Sequence, residues 1–210
     1  MTWADVTLRE FQNALASSAP TPGGGSAAGV ALGQAAALAV MVSDLTIGKE
    51  SFSEGWIISE KVKSTALPML DQALVLATQD SNAFDEVVDA FKLPRETDQE
   101  KSERREAIRS ATLGAAEVPY RTAVSALTLL RLLPELAAKG NPNAASDVGV
   151  ASLLASAALK GGIFNVEINL QSLPDEYGVE MRETLPSLVE DGRIYSRQAM
   201  DAVRDRLSNQ

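Results

Sequence analysis

"PTPGGGSAAGVALGQAAALAV", Pro20 to Val40, sets three consecutive glycines between a proline-rich turn and a long run of small apolar residues. How this stretch is read decides the fold. Gly23-Gly24-Gly25-Ser26-Ala27-Ala28 satisfies the letters of G-x-G-x-x-G/A, but a dinucleotide-binding turn must follow a strand. Here the preceding residues, Phe11 to Ala19, read as helix. A Walker loop needs Gly-Lys-Ser/Thr, and no lysine follows. What remains is a glycine segment opening a helix, whose free N–H groups form an anion or carbonyl site. Three glycines exceed what a cap needs, which points to a group packed against bare backbone.

Outward from this stretch the pattern stays helical. Leu8, Phe11, Ala14 and Leu15 fall on one face of a first helix, Thr7 to Ser17, which Pro20 and Pro22 stop. The small-residue helix runs from Ser26 to about Leu45. Glu54 to Gln79 reads as a third helix kinked at Pro68, and Asn82 to Phe91 as a short fourth, with Asp80 and Ser81 at its mouth. Glu96 to Glu117 starts charged and turns apolar; Pro119 breaks or bends it. Tyr120 to Lys139 continues, with a bend near Pro134. Gly140-Asn141-Pro142-Asn143 is a stop and restart. Ala144 to Leu159 is a second small-residue helix, Gly162 to Leu170 another helical piece, and Val179 to Leu207 closes the chain.

No alternating strand pattern lasts six residues. The expectation is therefore an all-α, single-domain helical bundle over residues 1–210, of roughly seven to nine helices. Gly29 and Gly33, Ala151 and Ala155, and Ser152 and Ser156 stand four apart, so the two small-residue helices present flat faces. Each interior glycine costs about 1 kcal/mol against alanine, and close packing must offset it. These helices belong in the core or at a subunit interface.

The composition of the 210 residues narrows the chemistry. There is no cysteine, which excludes disulfides, thiolate metal sites and cysteine nucleophiles. There is no histidine, which removes the usual general base, the Ser-His-Asp relay and most zinc sites. Acid–base work must fall to Asp, Glu, Lys, Tyr or water. The net charge of −9 argues against nucleic acid as a partner, yet leaves room for a small anion at a local cationic patch. The N-terminus carries acids and is no signal or transit peptide. Ala27 to Val42 is mostly Ala and Gly, and reads as a buried core helix, not a membrane span. A cytoplasmic location is expected.

Three further clusters carry polar chemistry: Asp80-Ser81; Asn141 with Ser146-Asp147; and Asn165 with Asn169, four apart on one helix face. Singly, the first two also fit helix caps or first-turn acids, while two amides in an apolar segment must find partners if buried. Together, and in order with Pro20-Thr21-Pro22-Gly23-Gly24-Gly25-Ser26, Met41-Val42 to Thr46, Gly48-Lys49, Ala83-Phe84, Leu93-Pro94, Arg105 through Val118-Pro119, Val148 to Ala151 and Ile168 to Leu170, they resemble the cyclodeaminase/cyclohydrolase family of one-carbon folate enzymes. The resemblance runs from about Phe11 to Asp175. It departs at Asp44, where an amide is expected, and across Glu50 to Glu60, with Phe52 and Trp56.

The resemblance implies chemistry on the carbon between N5 and N10 of tetrahydrofolate. A cyclohydrolase adds water to the methenyl bridge and yields 10-formyltetrahydrofolate; a cyclodeaminase closes the bridge from a formimino group and releases ammonia. Neither needs a metal or any cofactor beyond the folate substrate. Asp147 or Asp80 is expected as the base, with Lys49 as cationic partner. Pro22, Gly23, Gly24, Gly25, Ser26, Asn141, Ser146, Asn165 and Asn169 are expected to hold the pterin or a developing oxyanion. Arg105, with Arg104, Arg109 and Lys160, is a candidate for the anionic tail. The chain's length without a transferase domain favours the cyclohydrolase. A homodimer with the small-residue helices near its interface is expected; a folate-binding helical protein without chemistry is the competing class.

Overall fold

Alanine and glycine along two long helices let axes approach closely, and the bundle is built around those two. The computed structural model describes residues 2–208. Eight α-helices follow in order among them: α1 Leu8–Leu15, α2 Gly24–Thr46, α3 Trp56–Ala66, α4 Met69–Phe91, α5 Asp98–Leu130, α6 Leu133–Lys139, α7 Ala145–Gln171 and α8 Val179–Ser208. Short 3-10 turns occupy Trp3–Asp5, Glu50–Gly55 and Pro142–Ala144, and no strand occurs among the described residues. The all-α expectation holds.

Local chemistry sets the ends. Thr7 and Glu10 form a reciprocal capping box at α1, and Thr97 and Glu100 repeat it at α5. α7 lies in the middle, packed on α5, α2 and α8, while α2 packs on α7 and α4. Leu32, Ala35, Ala36, Ala39 and Val42 of α2 and Val148, Ala151, Ala155, Leu159 and Val166 of α7 are buried. They join Leu129, Leu130, Leu133 and Leu136 in one continuous core. α2 and α7 run antiparallel: Gly24 stands by Asn165, Ala28 by Gly161, and Leu45–Thr46 by Asn141.

Several expected boundaries move. The chain does not kink at Pro68 but separates into α3 and α4 at Leu67–Pro68, and α4 then runs unbroken through Asn82. Asp80 and Ser81 thus lie inside a helix and cap nothing. Pro119 sits within a continuous α5, and the break comes at Arg131–Leu132, with Pro134 in the first turn of α6, where its missing N–H costs nothing. The expected pieces Ala144 to Leu159 and Gly162 to Leu170 are one helix. A Cβ at Gly162 would meet the Pro119 carbonyl at 2.7 Å; the glycine serves close packing on α5, so the helix continues.

Candidate active site

The first turn of α2 and the middle of α4 meet at one point. Ser26 is fully buried, and its hydroxyl donates to Asp80 Oδ2 at 2.9 Å. Its backbone N–H also points to the Asp80 carboxylate. The hydroxyls of Ser26 and Ser81 lie 3.0 Å apart, and Trp3 Nε1 donates to Ser81 at 3.0 Å. The triple glycine now has a physical account. Gly24 and Gly25 are already helical, and a Cβ on Gly25 would overlap the Asp80 carboxylate, 2.7 Å from Oδ2. The anion at this helix N-terminus is therefore the chain's own aspartate. Burial raises the Asp80 pKa, and the Ser26 hydrogen bonds only partly oppose it.

Asp80 opens into a cleft of about 220 Å³. One wall is Pro20, Thr21 and Gly23 to Gly25; the other is Asn165, Ile168 and Asn169 of α7, with Phe84 of α4 and Ala115 of α5 between. Pro22 is buried behind the first wall. Asn165 Nδ2 donates to the Gly161 carbonyl at 2.8 Å, and Asn169 Nδ2 to the carbonyls of Ala115 and Asn165, each at 2.9 Å. Ala115 O is available because Pro119, four residues on, has no N–H to give it. With both amide nitrogens tied down, the carboxamide oxygens remain as acceptors. No Lys or Arg lines the cleft. A carboxylate and two amide oxygens make an acceptor-rich, anionic pocket suited to a ligand that is cationic and rich in N–H donors.

The remaining expected residues are elsewhere. Asn141 is buried and committed to the backbone: its N–H goes to Thr46 Oγ1 at 3.0 Å, its Nδ2 to Leu45 O at 3.1 Å, and its Oδ1 accepts from Asn143 N at 3.0 Å. It staples the end of α2 to the start of α7. Ser146 is exposed, Asp147 half-buried and Lys49 exposed at that same end. Asp147 and Asn165 lie on one face of α7, but eighteen residues, roughly 27 Å, apart. Within one chain, then, Lys49, Ser146 and Asp147 do not meet Asp80. At the two departures, Asp44 pairs with Lys63 on the surface, and the stretch after Lys49 forms the 3-10 turn Glu50–Gly55.

Arg105 lies on α5 in a groove of about 410 Å³ with Arg95, Lys101, Arg104 and Arg109. Arg104 is held by the Phe91 carbonyl at 3.0 Å and the Phe91 ring, and Arg109 lies over the Tyr177 ring. The groove continues the cleft: Ile168 lines the one and Ser172, a turn further along α7, lines the other. Lys160 lies apart, between α7 and α8. Sequence reasoning assigned no role to Phe84 and Ile168. Their spacing from Asp80 and Asn165, four and three residues, marks the same helix faces once α4 and α7 are read as continuous.

A helical bundle holds a half-buried carboxylate beside two anchored amides, the groups that acid–base work on a small molecule needs. The chain belongs to the formiminotransferase-cyclodeaminase family, whose model matches residues 7–185. A methenyltetrahydrofolate cyclohydrolase of Methylorubrum extorquens is 34% identical over 96% of this chain and 98% of its own. The formimidoyltransferase-cyclodeaminase of Gallus gallus is 33% identical over 89% of this chain, which spans 35% of that longer protein. A solved formiminotetrahydrofolate cyclodeaminase from Thermotoga maritima is 28% identical, with a TM-score of 0.79 over 98% of both chains.

Proposed function

We propose that this protein is a folate-dependent enzyme acting on C–N bonds, a methenyltetrahydrofolate cyclohydrolase converting 5,10-methenyltetrahydrofolate and water to 10-formyltetrahydrofolate. The observation that carries it is Asp80, a half-buried carboxylate with a raised pKa in a cleft without cations. The methenyl bridge is a delocalised cation, and a carboxylate beside it stabilises that charge. Water attacks the bridge carbon while Asp80 accepts one of its protons. The N5–C bond then breaks, the hydroxyl proton passes to N5, and the carbon becomes the formyl group on N10. Asp80 releases the net proton to solvent. The oxygens of Asn165 and Asn169 accept from pterin N–H groups, and the glutamate tail leaves along the groove at Arg105. No metal or cofactor beyond the folate enters this scheme. The protein works as a homodimer, with α2 and α7 at its interface, in the cytoplasm.

Relatedness to the cyclohydrolase over its whole length supports this reading better than chain length does, because the Thermotoga cyclodeaminase has the same extent. That structural likeness favours a second reading: formiminotetrahydrofolate cyclodeaminase, with N10 attacking a formimino carbon and ammonia leaving. The deciding assay follows loss of methenyl absorbance above the spontaneous rate, alongside ammonia release from 5-formiminotetrahydrofolate. Acceleration in the first alone identifies the cyclohydrolase, and in the second the cyclodeaminase. A folded protein silent in both overturns the folate chemistry.

A further inference from the structure

Trp3 reaches the site from outside it. It stands on the three-residue 3-10 turn ahead of α1, and that turn buries none of its residues. Two bonds fasten it to one face of α4: its backbone N–H donates to Thr78 Oγ1 at 2.9 Å, and its indole Nε1–H to Ser81 Oγ at 3.0 Å. Its ring meets Phe11 of α1 edge to face, with centroids 5.4 Å apart. A phenylalanine would supply the same ring contact; the N–H is what tryptophan adds. That N–H begins a chain of hydroxyls, with Ser81 and Ser26 3.0 Å apart and Ser26 2.9 Å from Asp80 Oδ2. Both serines are buried, where each bond polarises the next.

We infer that Trp3 is a positioning residue for Asp80, acting through Ser81 and Ser26 to hold the ionised carboxylate. Proton bookkeeping fixes the direction of the relay. An ionised carboxylate only accepts, so the one hydrogen of Ser26 goes to Asp80 and Ser81 must donate to Ser26. An indole N–H only donates, so Trp3 meets a lone pair of Ser81 and leaves that hydroxyl hydrogen pointing onward. With a phenyl ring at position 3, Ser81 is free to turn and accept from Ser26, which then withdraws its hydrogen from Asp80. Burial already raises the Asp80 pKa and the Ser26 hydrogen bonds oppose it, so losing them favours the protonated form. Among the described residues no second ionisable group lines this cleft: α2 presents Gly24 and Gly25, α5 Ala115, and α7 Asn165 and Asn169. Nearby, Arg121 of α5 is bound to Gln79 and Asp85 accepts from Thr21. On the side of Trp3, Asp5 is exposed and Glu10 is taken up by Thr7.

The use made of Asp80 rests on the folate reading; the relay does not, and two measurements separate them. Trp3→Phe should move the acid limb of the kcat–pH profile to higher pH, with a severalfold loss on that limb, little loss above it and an unchanged KM. Ser81→Ala should do the same. The double variant should be no worse than Ser81→Ala, because Trp3 acts only through Ser81. A loss equal at every pH, or single effects that add in the double variant, overturns the proposal. The second measurement does not need Trp3→Phe to fold. The chain has two tryptophans, so Trp56→Phe leaves the Trp3 indole N–H as the only such NMR signal. That signal should move with pH in step with the acid limb, and should stand still over the same range once Asp80→Asn is added. A signal indifferent to pH, or one that titrates equally with Asn at position 80, overturns the proposal. If no folate is turned over but the indole follows Asp80, the reaction assignment falls and the relay stands. If methenyl turnover is found and the indole ignores Asp80, the relay falls and the reaction stands.

Discussion

Asp80 and Gly25 form a unit in which one residue dictates the other. A methyl at position 25 meets the carboxylate and must push it from the helix N-terminus. Gly25→Ala should therefore lower kcat by about a hundredfold and cost about 1–3 kcal/mol, the range for overpacking, checked by kinetics and thermal unfolding of the same sample. Asp80→Asn separates chemistry from stability. The folded-state pKa of Asp80 is raised above the ordinary 3.8 by burial, so the folded chain binds this proton more tightly than the unfolded one. Stability from this group is fully present below pH 3.8 and is lost as pH rises through the folded pKa. The amide variant should lose turnover by ~10²–10⁴-fold yet keep or raise its Tm at neutral pH. Its Tm advantage should shrink as both proteins are acidified toward pH 3.8. A neutral-pH Tm well below the wild type would show that the ionised carboxylate is a net stabiliser, contrary to this account. The sequence made Asp80 a candidate but placed it at a helix mouth; its burial against a glycine from another helix is a long-range fact that no local pattern carries.

At the scale of the helix, proline and glycine act by what they pack against. Pro119 was legible as a break or a bend; α5 runs through it, and the consequence is chemical: the freed Ala115 carbonyl anchors Asn169 at the cleft. Pro119→Ala restores a competing N–H to that carbonyl. Stability should hold or rise, while KM increases severalfold because Asn169 loses its fixed position; unchanged KM would detach Pro119 from the site. Glycines in α2 and α5 make a paired test. At Gly29 a Cβ would stand 2.9 Å from the Ala77 backbone nitrogen, whereas at Gly114 nothing lies within 4 Å. Gly29→Ala should destabilise by about 1–3 kcal/mol, and Gly114→Ala should stabilise by about 0.5–1 kcal/mol, read from denaturant midpoints. Spacing alone revealed that α2 and α7 are central, because small residues four apart have few other uses. It could not show that Gly161-Gly162 lies inside one helix, since packing on α2 and α5, not propensity, keeps that segment helical.

Over the whole molecule, charge is the property that composition reports least well. A net charge of −9 gives no hint that five cations converge on one groove, because α5 and the residues before it gather them only after folding. Arg104 and Arg109 are braced by aromatic rings and a carbonyl before any ligand arrives, which reduces the side-chain entropy lost on binding an anion. Arg105 projects into the same groove without an ion pair among the described residues, so reversing its charge removes attraction and adds repulsion at little cost to the fold. Arg105→Glu should raise KM for a polyglutamylated substrate about tenfold, the scale of one lost charge-assisted contact, and leave kcat near the wild-type value because Asp80 is not disturbed. For the monoglutamate the change in KM should be smaller. Raising ionic strength should narrow the wild type's preference for the longer tail, since exposed charges are screened over about 10 Å at 0.1 M salt, and should leave the variant nearly unaffected. If both tail lengths respond alike at every salt concentration, the groove does not carry the tail, and Arg105 belongs to the solvated surface of α5.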